Sequence, residues 1–246
     1  MPDFSIKATQ GEYVKAISAI DVGKSRRELP EAPVTDSEMT RLRGLIGSLQ
    51  YAVSHTRPDL ASRLGEIQVQ LSKPTVQTLL QGNKLLREAQ LSSDVSVFFR
   101  SIPPSQITHV AFGDASFASP KQLASFQGSI ICATSPKLLQ NERAPVSPLT
   151  WSSKKINRVV RSTLSAEAFS MSRSVDQLGW MRLLWGTLAI TNFDWRKPSE
   201  ALPKMPPAAI VTDCKSLYDL VSRTAQCLPV KNIAPHWRFF SLEKDV

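Results

Sequence analysis

Three short segments in the second half of this 246-residue chain each contain one carboxylate at a structurally defined place. Asp114 directly follows the run 109–113, and Asp213 directly follows the apolar run 208–212. Glu167 lies at the start of a long helical pattern. An apolar run that ends in Asp is typical of a buried strand with the acid at its tip. Two such strands, with a helix-borne Glu between them, can gather three carboxylates. The fold must therefore combine strands and helices around an acidic centre.

Each acid also has a purely structural interpretation. Asp114 suits a turn at a strand end, the helix dipole favours Glu167, and Asp213 suits a helix N-cap. Taken singly, these roles are the better explanations. Taken together in this order, the three acids favour a site for Mg²⁺ or Mn²⁺, because clustered carboxylates need a cation to stay ionised and hard oxygen ligands suit these metals. Such a site matches metal-assisted phosphodiester hydrolysis, in which carboxylates fix ions about 4 Å apart.

The pattern around the acids predicts a mixed α/β domain. Three successive strands indicate an antiparallel meander, and a strand that follows a long helix indicates a parallel addition. The predicted elements are strands at 107–114, 127–134, 148–153 and 207–213 and helices at 163–188 and 215–223. The expected fold is therefore a mixed sheet of three antiparallel strands plus one parallel strand, flanked by helices. Four large apolar residues of the long helix are predicted to close it onto the sheet: Trp180, Leu183, Leu184 and Trp185.

The first part of the chain has a different pattern, because apolar residues recur there at helical spacing. Helices are predicted after the capping residues Thr35 to Glu38, from Pro58 to about residue 71, and over 74–90. These features define three predicted regions: a helical segment 1–92, an α/β domain 93–226 and a divergent tail 227–246. One alternative hypothesis makes residues 36–90 a helical interaction module, with the acidic cluster incidental.

The charge distribution favours a polyanionic partner. The chain has 30 Lys and Arg against 21 Asp and Glu, and residues 101–246 contain 17 basic and 10 acidic side chains. A basic segment that also contains an acidic cluster suits nucleic acid, since Lys and Arg neutralise phosphates. Contacts to phosphates and sugars are predicted for six residues near the acids: Ser116, Ser153, Lys154, Lys155, Arg158 and Arg161. The alternative for these residues is a basic, solvated loop.

Several other classes of protein are disfavoured. The three cysteines show no CxxC spacing, which argues against a disulfide scaffold or a structural zinc site, and three histidines leave few members for a catalytic triad. There is no apolar run of about 18 residues and no signal-peptide pattern at the N-terminus. These features predict an intracellular protein, cytoplasmic or nuclear, without a membrane partner.

Several sequence blocks in the same order resemble the ribonuclease H domain of copia-type LTR-retrotransposon Pol polyproteins. The blocks are Asp114-Ala-Ser116, Trp151-Ser-Ser-Lys-Lys155, Ser165-Ala-Glu167-Ala168, Trp180-Met-Arg-Leu-Leu184 and Thr212-Asp213-Cys-Lys-Ser216. The earlier blocks Leu42-Arg-Gly-Leu-Ile46 to Tyr51 and Thr56-Arg-Pro-Asp-Leu60 look like the segment downstream of the reverse-transcriptase palm. The resemblance covers residues from about 10 to about 225.

The resemblance implies a ribonuclease H-like fold and Mg²⁺-dependent cleavage of the RNA strand of RNA–DNA hybrids. It also implies that Asp114, Glu167 and Asp213 are the catalytic metal ligands. The paired-Asp polymerase motif is absent from the sequence, so DNA synthesis by this chain alone is not expected.

The tail departs from the family pattern, which has a further acidic motif there. Only Glu243 and Asp245 are acidic in the tail, and a missing fourth ligand would weaken a second metal site. Impaired turnover is therefore expected. The alternative is a catalytically inactive, nucleic-acid-binding fragment of a retroelement Pol polyprotein.

Overall fold

The computed structural model describes residues 4–119, 124–140, 142–224, 229–234 and 237–242. It divides into two compact units. Residues 7–97 together with 153–155 form a helical unit, and the described residues of 4–6, 98–152 and 156 onward form an α/β unit. The predicted domain boundary near residue 92 remains a prediction.

The helical unit is built from five α-helices and a short 3₁₀ turn. Large aliphatic side chains from these helices form a single core, including Leu42, Leu49, Leu60, Leu64 and Leu79. The elements are α1 (Gly11–Ala16), α2 (Lys24–Arg27), α3 (Asp36–His55), a 3₁₀ turn (Pro58–Leu60), α4 (Ala61–Gln70) and α5 (Val76–Leu91). Two short strands, β1 (Ile6–Ala8) and β2 (Val97–Phe99), pair with each other.

Helix α3 begins with a reciprocal cap. The Thr35 hydroxyl accepts from the Glu38 backbone N–H at 3.3 Å, and the Glu38 carboxylate accepts from the Thr35 N–H at 2.8 Å. Arg26 donates two 2.9 Å hydrogen bonds to the same carboxylate, which lower the pKa of Glu38 to about 2. Among the capping choices in the sequence, Thr35 is therefore the N-cap.

The turn after α3 is held by a buried arginine. Arg57 is 2 % exposed and donates to both carboxylate oxygens of Asp59, at 3.0 and 2.8 Å. It also donates to the Ala89 carbonyl at 2.9 Å and to the Ser92 hydroxyl at 2.8 Å. A buried guanidinium needs such partners, and here they attach this turn to the end of α5.

The α/β unit contains a six-stranded sheet in the order β5-β4-β3-β6-β8-β7. Strands β3 and β4 are antiparallel, and β3 and β6 are parallel. The hydroxyls of Ser129 in β4 and Ser152 in β5 are hydrogen-bonded to each other, and the Ile156 N–H, directly after β5, donates to the Ser125 carbonyl of β4. Strands β4 and β5 therefore also run in opposite directions. The elements are β3 (Thr108–Ser119), β4 (Ala124–Thr134), β5 (Val146–Lys155), α6 (Thr163–Ala189), α7 (Pro198–Ala201), β6 (Ala208–Thr212), α8 (Lys215–Thr224), β7 (Pro229–Ala234) and β8 (Trp237–Leu242). The predicted mixed α/β fold is confirmed and is consistent with a ribonuclease H-like fold.

The tail contributes two strands that the sequence pattern did not predict. Strand β8 pairs antiparallel with β6, and β7 pairs antiparallel with β8. The sheet therefore continues past β6 by a hairpin. Glu243 and Asp245, the two late acids, lie outside the described residues.

The long helix α6 buries a different face from the one predicted. Trp180 is 68 % exposed and Leu184 is 54 % exposed, so their prediction as core residues is wrong, whereas Leu183 and Trp185 are half-buried. Apart from Glu167, the buried residues recur every four positions: Ala166, Ser170, Ser174, Leu178, Arg182 and Gly186. Most of them are small because α6 lies close to the strands. Among the described residues, no helix is both long and apolar enough to cross a membrane.

Candidate functional site

Two parallel strands place Asp114 and Asp213 next to each other. Phe112 of β3 is paired with Val211 of β6, and each aspartate lies two residues further along its chain. Strand β6 ends at Thr212, so Asp213 lies just beyond it, whereas β3 continues to Ser119 and the predicted strand end at Asp114 is wrong. The register therefore puts both aspartates at the edge where β6 ends.

Helix α6 brings Glu167 to the same edge. The helix begins after Ser162, whose hydroxyl accepts from the Ser165 N–H at 3.1 Å. Glu167 is in the second turn and is 6 % exposed. The Ser170 hydroxyl, three residues later, lies 2.7 Å from the Asp114 carbonyl oxygen. The start of α6 is thus in direct contact with the strand that contains Asp114.

The three predicted carboxylates come together. One oxygen from each of Asp114, Glu167 and Asp213 lies within 4.8 Å of the others. Asp114 and Asp213 are exposed, whereas Glu167 is buried. The arrangement therefore has two solvent-accessible acids in front of one enclosed acid.

The electrostatics of the cluster show an excess of negative charge. Burial, followed by repulsion from Asp114 and Asp213, raises the pKa of Glu167 to about 7. Burial and the nearby Asp213 likewise raise the pKa of Asp114. A hydrogen bond with the Ala115 backbone N–H opposes both shifts. A divalent cation with hard oxygen ligands fits this donor set, because it would supply the positive charge that the described side chains do not.

Sequence comparison supports the resemblance that the motifs suggested. The chain is 28 % identical over 155 residues to a retrovirus-related Pol polyprotein from transposon RE1 of Arabidopsis thaliana, and 29 % identical over 152 residues to the one from transposon RE2. The chain is thus similar to a part of two transposon Pol polyproteins. The matches cover 63 % and 61 % of it but 10 % of each relative. No family model and no solved structure matches the chain.

The residues predicted to bind nucleic acid do not all lie in one compact unit. Ser116 is exposed on β3, two residues after Asp114, and Arg158 and Arg161 are exposed between β5 and α6. Lys154 and Lys155 are exposed and Ser153 is half-buried, and all three are grouped with the helical unit. Binding of nucleic acid by these residues remains a prediction.

Three contributors to the site were missed by sequence reasoning. The Ala115 N–H acts through the backbone, so no side-chain pattern could indicate it. Ser170 looked like an ordinary polar helix residue. The Phe169 ring lies 5.8 Å from the guanidinium of Arg158 and can orient it by a cation–π contact. Only the i+3 spacing from Glu167 could have drawn attention to Ser170.

Proposed function

We propose that this chain is a retroelement-derived, ribonuclease H-like protein that hydrolyses the RNA strand of RNA–DNA hybrids endonucleolytically with Mg²⁺ or Mn²⁺. The observation that carries the proposal is the approach of three carboxylates to within 4.8 Å: one from β3, one just beyond the end of the parallel strand β6, and one from the second turn of α6. The relation to transposon Pol polyproteins supports it.

Each acid has a role that follows from its position. Asp114, Glu167 and Asp213 would hold the cation, which when bound activates water and stabilises the leaving oxygen. The two exposed aspartates face solvent, where a phosphodiester can approach, and the buried Glu167 closes the inner side. The Ala115 N–H orients the Asp114 and Glu167 carboxylates. The chain thus fixes the ligands before substrate arrives.

The exposed cations near α6 supply the binding energy for the substrate. Arg158 and Arg161 can neutralise phosphates, and the Phe169 ring limits the freedom of Arg158. Ser116 offers a hydroxyl beside Asp114, and contact with a 2′-hydroxyl distinguishes RNA from DNA. These residues favour a strand that contains ribose.

A second candidate function is binding of nucleic acid without hydrolysis. It is favoured by the size of the cluster, since in the part of the chain that the structure describes only three carboxylates converge. A second metal ion would then have fewer ligands, which lowers turnover more than it lowers substrate binding.

The test uses a labelled RNA–DNA hybrid incubated with the chain and Mn²⁺ or Mg²⁺. We expect internal cleavage of the RNA strand, lost in Asp114→Asn and retained in Asp176→Asn, which changes an exposed acid of α6 outside the cluster. Equal cleavage by Asp114→Asn would remove that residue from the mechanism. Salt-sensitive binding of the hybrid without cleavage at any metal concentration would establish the second candidate instead.

A further inference from the structure

One buried hydroxyl links the helix of the site to its central strand. Ser170 of α6 is 1 % exposed, and its hydroxyl lies 2.7 Å from the carbonyl oxygen of Asp114 and 3.0 Å from that of Gly128. Asp114 and Gly128 face each other in the β3–β4 pair. The Ser170 hydroxyl therefore shares its hydrogen between two strand carbonyls and holds α6 against the sheet at Asp114.

The same helical turn carries Glu167. Residues three apart on a helix project from neighbouring positions on one face, so a contact that fixes Ser170 against Asp114 also fixes the side chain of Glu167 near the Asp114 carboxylate. Such a contact is needed because carboxylates this close together repel each other when ionised. Without it, repulsion favours separation of the helix from the strand.

The close approach depends on a glycine in β3. A Cβ atom on Gly113 would lie 2.8 Å from the Ser174 hydroxyl and 3.6 Å from that of Ser170. Ser174, one turn beyond Ser170, is equally enclosed, but its hydroxyl donates to the Ser170 carbonyl of its own helix at 2.9 Å. The two serines thus share burial and helix face, and differ in what their hydroxyls contact.

We propose that Ser170 is a positioning residue, whose hydroxyl holds Glu167 beside Asp114 so that both carboxylates can bind one cation. The inference rests on the proposed function only in requiring that the cluster binds a divalent cation. It assigns to Ser170 a role distinct from the general packing of α6.

The experiment measures binding of Mn²⁺ to the full chain by electron paramagnetic resonance, together with thermal unfolding. Ser170→Ala should weaken Mn²⁺ binding by about tenfold or more, in the range found when residues that orient metal ligands are replaced. Ser174→Ala should leave it within about twofold, because its hydroxyl bonds only inside its helix. Ser170→Cys keeps the size of the side chain with a weaker donor, and should also weaken binding if the alanine variant fails to fold.

The outcomes separate this inference from the proposed hydrolysis. Mn²⁺ binding by the wild-type chain that depends on Ser170, without cleavage of a hybrid, would support the positioning role and refute the hydrolase. Wild-type affinity in both Ser170 variants would overturn the positioning role, as would an equal loss in Ser174→Ala. Failure of the wild-type chain to bind Mn²⁺ would also overturn it.

Discussion

Helix α3 is the longest helix of the helical unit, and α6 is the longest helix of the α/β unit. These two helices bury opposite kinds of residue. Helix α3 packs among other helices and buries large aliphatic side chains, including Leu42, Leu45 and Leu49. Helix α6 packs on a sheet and buries mainly small or polar residues, while Trp180 and Leu184 face outward. Helices with interdigitating side chains stay about 8–10 Å apart and favour large residues. A helix that brings a carboxylate close to a strand needs small residues on the face that meets the strand.

The acids near the start of these helices also differ. Glu38 of α3 is paired with Arg26 and capped to Thr35, which lowers its pKa to about 2. Glu167 of α6 is buried beside two other acids, which raises its pKa to about 7. In α3 the acid stabilises the fold, whereas in α6 an acid is kept under conditions that oppose its ionisation. Such a position is typical of a functional site.

The largest expected contrast is between two residues that hydrophobicity alone would treat alike. Leu49→Ala in α3 removes a fully buried side chain and should lower the free energy of unfolding by about 3 kcal/mol or more. Trp180→Ala should change it by less than about 1 kcal/mol, because that ring is mostly exposed. Urea unfolding followed by circular dichroism measures both. A larger loss for Trp180→Ala would show that the outward face of α6 is covered in the folded protein.

The second prediction uses pH to compare the two glutamates. The folded state binds the proton of Glu167 more tightly than the unfolded state, so stability falls as pH rises from about 4.5 through 7. In metal-free buffer at pH 8, Glu167→Gln should therefore stabilise the α/β unit, by up to about 3 kcal/mol.

Glu38→Gln should have the opposite sign. The stabilisation from Glu38 is present above about pH 4.5 and is lost as pH falls towards 2, so this variant should destabilise the protein at pH 7. Thermal unfolding across pH 4 to 8 measures both variants. Destabilisation by both substitutions at pH 8 would mean that Glu167 is not held in a charge-repelling environment.

The third prediction concerns two glycines within α6. A Cβ on Gly186 would overlap with the ring of Phe193, so Gly186→Ala should destabilise by about 1–3 kcal/mol. Gly179 has open space at the same position, and Gly179→Ala should stabilise by about 0.5–1 kcal/mol through helix propensity. Melting temperatures distinguish the two. Equal effects would contradict the close packing of Gly186 against Phe193.

The smallest expected difference lies in the helix caps. Thr35→Ala should lower stability by about 1 kcal/mol, since it removes the hydroxyl that caps α3. Ser162→Ala removes a simpler cap, from the start of α6, and should have the smaller effect. Paired urea titrations under the same conditions compare them. A larger loss of stability for Ser162→Ala would show that folding depends more on the cap of α6 than on the cap of α3.

Features that depend on neighbouring residues in the sequence were predicted correctly, and features that depend on distant residues were missed. The helix after Thr35 was predicted because apolar residues repeat along it, and α6 was predicted at 163–188 and found at Thr163–Ala189. The outward position of Trp180 was missed because an apolar side chain gives no indication of which face of a helix meets a sheet. The tail strands were missed because β8 pairs with β6, a strand that is not its neighbour in sequence, and β7 in turn pairs with β8.

The sequence by itself determined the positions of the three acids, the helix and strand types around them and the similarity to transposon Pol polyproteins. Only the tertiary structure decided that α6 approaches β3 through Gly113, Ser170 and Ser174. It also decided that the Ala115 backbone N–H is hydrogen-bonded to two carboxylates and that Glu167 is buried. The physical reason is that side-chain chemistry and local periodicity are properties of neighbouring residues. Distances between carboxylates depend on strand register and helix packing, which join residues up to about a hundred positions apart.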